Sequence, residues 1–178
     1  MENTESNVNT NNIQEQLLVE ISRNNTNYIA KIIGNDASLF DKLVNLVFKG
    51  SSPIPLRAAW VVSTVTDVYP ELLTPYVEKI INTLEMFDHT GICRNLLRQL
   101  AECKIPDDLQ GKLYDICYTW LLSRHQPPAV KVHCMQILFN IAQLEPDLKP
   151  ELKLILEELT GHDSAAIKSR SRQLMMKM

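Results

Sequence analysis

Apolar residues in this chain recur at spacings of three and four. One run is Leu72, Leu73, Tyr76, Val77, Ile80, Ile81 and Leu84; a second is Leu109, Leu113, Ile116, Cys117, Trp120 and Leu121. A third is Val130, Cys134, Ile137, Leu138 and Ile141. Such spacing puts the apolar side chains on one face of a helix and leaves the other to water. No stretch sustains the alternation of a half-buried strand, so the pattern predicts an all-α protein without a sheet. Toward the N-terminus the same reading predicts helices over Ile13–Ser22, Thr26–Ile33 and Ser38–Phe48.

Two elements alternate along the rest of the chain. One reads PELLTPYVEKIINTL from Pro70, PDDLQGKLYDICYTWL from Pro106 and PDLKPELKLILEEL from Pro146. Proline followed by an acid suits a first helical turn, where no N–H is missed and the carboxylate meets the positive helix end. Pro75, Gly111 and Pro150, four or five positions on, predict a bend in each of these helices. The other element begins PLRAAWVVSTV at Pro55, ICRNLLRQLAE at Ile92, AVKVHCMQILF at Ala129 and AIKSRSRQLMM at Ala166. Its basic residues, Arg57, Arg94, Lys131 and Lys168, fall 37 residues apart, each after an apolar one. Polar turns with cap-type residues precede these helices: Ser51-Ser52-Pro53, Asp88-His89-Thr90-Gly91 and Gly161-His162-Asp163-Ser164.

A first helix containing proline, a turn, and a second helix opening on an apolar-basic pair resembles the HEAT or armadillo-type repeat. The pairs are Leu56-Arg57, Cys93-Arg94, Val130-Lys131 and Ile167-Lys168, and the resemblance covers Ile13 to Met178. It implies a right-handed α-solenoid, an armadillo-type superhelix of four to five antiparallel helix pairs. Acids stand in only some of the turns, at Asp88 and Asp163, and the pair Ile13–Ile33 has no basic position, which fits a cap. One such pair cannot hide its apolar face, so neighbours stack on a shared core. The organisation expected is a polar, Asn-rich lead-in over residues 1–12, without the basic start and apolar stretch of a secretory signal, and one repeat domain over 13–178.

Composition narrows the partners. The chain has 178 residues and is 45% hydrophobic and 22% charged, with a net charge of −3. A domain that grips nucleic acid through phosphates usually carries a basic surplus, so this balance makes nucleic acid an unlikely partner. No apolar run is long enough to span a membrane. The four cysteines lie within apolar helical patterns and show no metal-ligand spacing, so they read as small hydrophobes of a reducing, cytoplasmic compartment.

The candidate site is the basic ladder Arg57, Arg94, Lys131 and Lys168, with Arg98 one turn beyond Arg94. Stacked repeats would set its members about 8–10 Å apart. Two readings fit: internal ion pairs that steady the stack, or a stripe that binds an acidic peptide or a phosphate-bearing partner. The last helix carries further cations at Arg170, Arg172 and Lys177. His89, His125 and His162 fall in turns, too far apart for a shared zinc, whose ligand atoms sit about 3–4 Å from one another. His133 reads as a surface or partly buried residue, and Trp60 and Trp120 as core.

No nucleophile elbow, phosphate loop, zinc-protease helix or Cys–His arrangement occurs. No cofactor or metal is expected. The resemblance implies a non-catalytic protein-binding scaffold using a concave face. An alternative within the same fold is a glycosylase acting on alkylated DNA bases, with Trp60, Asp67, Arg94 and Arg98 as its candidates. A structural or oligomerising module is a third reading.

Overall fold

The computed structural model describes residues 10–162 and 164–178. Ten α-helices and no strand occur among them. They form two compact units, 1–75 and 76–178, each taken here by itself. The expected lead-in falls outside the described residues as far as residue 9, and Thr10–Asn12 already belong to the first helix.

The N-terminal unit holds α1 (Thr10–Val19), α2 (Arg23–Ile33), α3 (Ala37–Lys49) and α4 (Ile54–Thr66). α3 and α4 pack as a pair, α2 lies against α4, and α1 touches all three. Phe40, Leu43 and Val44 of α3 meet Ala58, Val61 and Val62 of α4 in burial, none more than 2% exposed. Ser22 and Asp36 cap α2 and α3 by accepting backbone N–H bonds. α2 stops at Gly34, whose φ of +49° is a conformation that other residues adopt only at a cost.

The C-terminal unit contains α5 (Val77–Thr83), α6 (Thr90–Leu100), α7 (Asp107–Leu122), α8 (Pro128–Leu144), α9 (Lys149–Leu159) and α10 (Ala165–Met175). The second helices form one layer, α8 lying between α6 and α10. The first helices back it: α7 packs on α8, α9 on α8 and α10, and α5 on α7. Outward polar bonds tie the first helices to one another, Lys112 to Asn82 at 2.8 Å and Tyr118 to Glu151 at 2.8 Å. Val130, Cys134, Leu138 and Ala142 of α8 are completely buried, the face that the apolar spacing marks out. Trp120 is also core, whereas Trp60 is only half-buried.

Three local expectations need correction. The segment 70–87 is not one bent helix: a 3-10 helix over Pro70–Tyr76, containing Pro75, precedes α5, and a second over Leu84–Met86 follows it. Pro75 has no N–H to give to an α-helical ladder. At Gly111 the helix is not interrupted, because glycine keeps its N–H and α7 runs through it unbroken. Pro150 sits in the first turn of α9, where a missing N–H costs nothing, so the irregularity moves to a short 3-10 helix over Pro146–Leu148. The caps also differ in chemistry. His89 Nδ1 accepts the Gly91 N–H at 3.0 Å and His162 Nδ1 that of Ser164 at 2.9 Å, so these turns are closed by imidazoles. Asp163, expected to serve there, lies outside the described residues.

Candidate functional site

α8 is the middle second helix of its unit, and His133, Gln136 and Asn140 lie on it three and four residues apart, along one face. All three are half-buried. Arg170 of α10 donates from Nη1 to Gln136 Oε1 at 3.1 Å. Gln136 Nε2 donates to Asn140 Oδ1 at 2.7 Å, and Asn140 Nδ2 donates to the carbonyl of Ala101 at 2.7 Å. Ala101 ends α6, where carbonyls lack an intrahelical partner. A side-chain relay thus runs from α10 over α8 to α6.

Arg94 and Arg98 stand on exposed positions of α6, one turn apart. Arg94 donates to the neutral amide oxygen of Asn95 at 3.3 Å. His133 registers its surroundings. Burial, followed by the positive charges of Arg170, Arg98 and Arg94, holds its imidazole down at about 4, from an ordinary 6.5. The charges of Arg98 and Arg94 on α6 and of Arg170 on α10 thus all act on a ring of α8. Arg94 and Arg170 both spend these hydrogen bonds on neutral amides, which leaves their charge available to an anion.

The pH dependence follows. In the unfolded chain His133 takes up a proton as pH falls below about 6.5, while in the folded chain it resists down to about 4. It is neutral in both states above that window, and the folded state loses ground as pH falls through it. Solvent screening included, the loss amounts to about 1–2 kcal/mol. Urea titrations of wild type and His133→Gln should therefore diverge between pH 7.5 and 4.5, the variant losing less by roughly that amount. Parallel curves would mean that neither burial nor the arginines depress the ring.

Beside this cluster lies an apolar cavity of about 330 Å³. Leu100, Ile105, Ile137, Ile141 and Leu144 line it together with Cys103, Lys104, Asp107, Gln110 and Asn140. The volume is within the range of sites that take small ligands or single large side chains.

The ladder residues are not equivalent. Arg57, on α4, is half-buried; its Nη1 donates to the carbonyl of Leu17 at 2.7 Å, and its Nε is buried without a hydrogen-bond partner. Lys131 is only 8% exposed, although Arg94 at the same repeat position faces solvent. α8 has a second helix on each side, whereas α6 does not lie between two of them. Lys168 is half-buried on α10. Of the five candidates, the arrangement about His133 brings together Arg94 and Arg98, and adds Arg170. Trp60 and Asp67 belong to the N-terminal unit, and Arg94 and Arg98 to the C-terminal one.

Sequence reasoning read His133 as a surface or partly buried residue, as it is, but assigned it no role, and it passed over Gln136 and Asn140. A signal did exist, since His133 and Arg170 are themselves one 37-residue repeat apart and so occupy the same structural position. Among the described residues no group of His, Cys, Asp and Glu is placed to hold a metal, and no helix is long and apolar enough to cross a membrane.

No curated protein and no solved structure matches the chain. The family model for the HEAT repeat domain does, over residues 13–178. With paired helices throughout and a layer of second helices in its C-terminal unit, this protein belongs to the HEAT repeat domain family.

Proposed function

We propose that this protein is a non-catalytic binding scaffold, cytoplasmic, whose second helices in the C-terminal unit hold an acidic segment of a partner protein. The observation that carries the reading is that Arg94 on α6 and Arg170 on α10, the helices on either side of α8, both give their hydrogen bonds to neutral amides. Like charges gathered on one face repel, and an anion between them relieves that repulsion. The helices that carry them are already ordered, so binding does not have to order the receptor. The thiols support the absence of nucleophilic catalysis: burial pushes Cys93 up to about 11 and raises Cys117 and Cys103 as well, which disfavours the reactive thiolate.

The test is fluorescence anisotropy with a fluorescein-labelled oligoglutamate peptide. Binding should weaken as salt rises from about 50 to 300 mM, as expected for exposed charges. Arg94→Glu/Arg170→Glu should weaken it by about tenfold or more, roughly the worth of one charge-assisted contact. Circular dichroism establishes that the variant is folded. A labelled DNA duplex bound more tightly than the peptide would overturn the reading in favour of nucleic acid. Equal binding by wild type and variant would remove the cluster from recognition.

A further inference from the structure

The cavity between α6, α7 and α8 is graded from floor to mouth. Leu100, Ile137 and Ile141 are buried and give it an aliphatic floor, whereas Lys104, Asp107 and Leu144 stand exposed around its opening. Leu144 is 66% exposed, an apolar surface that a bound molecule would cover. Apolar walls inside and charge at the opening fit a ligand with an apolar body and a polar head.

The two charges at the mouth are not equally free. Asp107 accepts from Gln110 Nε2 at 3.0 Å and lies in the first turn of α7, where the positive helix end favours a carboxylate. Among the described residues nothing engages the Lys104 ammonium. The charge left unanswered at the mouth is therefore positive. Deeper in, the amide N–H groups are already engaged: Asn140 donates to the Ala101 carbonyl, and Gln110 also donates to that of Ile105 at 3.3 Å. Volume sets the body of the ligand. A cavity of about 150 Å³ takes a benzene, so one of about 330 Å³ takes about a dozen carbon atoms.

We infer that this corner of α6, α7 and α8 is a binding site for a medium-chain aliphatic carboxylate, its chain in the cavity and its head on Lys104. The site is independent of the acidic-partner reading, since neither Arg94 nor Arg170 lines it. It also carries a reporter. Cys103 lines the cavity and is half-buried, whereas Cys93, Cys117 and Cys134 are buried, so a bound chain would cover the most accessible thiol.

The experiment titrates the full chain by calorimetry with saturated fatty acids of six to fourteen carbons, each below its micellar concentration, and with decanol and decylamine. Affinity should rise about fourfold per methylene, the worth of one buried CH₂, and level off at about ten to twelve carbons. Decanoate should bind about threefold more tightly than decanol, as expected of one exposed ion pair. Lys104→Gln, at an exposed position, should erase that difference and leave decanol binding unchanged. Decanoate should also slow the reaction of Cys103 with a maleimide, followed by mass spectrometry of its peptide. Affinity still rising at fourteen carbons, or a Cys103 left unprotected, would put the chains on another apolar surface and overturn the site. Decylamine bound as tightly as decanoate, or Lys104→Gln without effect, would overturn the carboxylate as its ligand. If none of these molecules binds, the inference falls and the acidic-partner reading is untouched.

Discussion

Leu138→Ala is expected to cost this protein about 3–5 kcal/mol of stability, the upper part of the range for a buried leucine truncated to alanine. Leu138 is completely buried on α8, the helix that packs against α6, α7, α9 and α10. The loss has two parts: the transfer free energy of the removed methyl groups, and a cavity that the helices cannot close. All four neighbours also carry completely buried side chains, among them Leu97, Leu113, Leu152, Leu156 and Leu174. Movement of one of these helices to fill the gap would disturb the burial of the others. In a repeat array each pair is stabilised chiefly by the pairs beside it, so damage in the middle helix reaches both neighbours. Urea or guanidinium titration measures the effect, and hydrogen exchange should show protection lost in α6, α8 and α10 together. A loss below about 1 kcal/mol would mean that the helices around α8 collapse freely, against the close packing described.

Arg57→Ala should cost about 2–3 kcal/mol, localised to the N-terminal unit and without effect on acidic-peptide binding. Its guanidinium donates to the Leu17 carbonyl, one of the last four of α1, which no later turn of that helix can satisfy. Asn25 completes this C-terminal cap, donating to the carbonyls of Gln16 at 2.9 Å and Glu20 at 3.1 Å. Without Arg57 a partly buried carbonyl loses a charged donor, and α1 loses a tie to α4 that spans 40 residues of chain. Faster amide exchange over Ile13–Val19, with exchange in the C-terminal unit unchanged, is the expected signature. Unchanged stability together with weaker peptide binding would return Arg57 to the recognition surface.

The helices were legible because the apolar spacing and the 37-residue register are both written in the side chains. The register placed Arg57, Arg94, Lys131 and Lys168 at equivalent positions, but equivalence within a repeat is not equivalence of environment. Lys131 sits on a helix covered from both sides, Arg94 faces solvent, and Arg57 is turned to a helix end some 40 residues earlier in the chain. The imidazole bonds of His89, the N-cap of α6, and of His162, two residues ahead of the N-cap of α10, escaped for a related reason, since histidine is not among the residues ordinarily favoured at helix starts. The His133 cluster depends on which arginines lean toward α8. That is a property of side-chain direction across three helices, and spacing along one of them does not encode it. Proline and glycine misled in opposite ways. Pro75 interrupts more than a bend would, and Gly111 not at all, because an α-helix depends on the N–H that only glycine retains.

The relay over α8 has a polarity. Every donor in it points the same way, from the Arg170 guanidinium to the Gln136 oxygen, from the Gln136 nitrogen to Asn140, and from the Asn140 nitrogen to the Ala101 carbonyl. It is a row of aligned dipoles in which each bond polarises the next, and neither amide can flip without breaking both of its bonds. Deamidation of Gln136 would therefore act as a cut in a wire. The new carboxylate would grip Arg170 more firmly but would have no N–H to pass on to Asn140. The last helix would then be held tighter to α8, and the break would fall within α8 itself, between Gln136 and Asn140, while Asn140 kept its own bond to α6, so that slow chemical ageing of one amide would uncouple the two ends of the relay at a defined point.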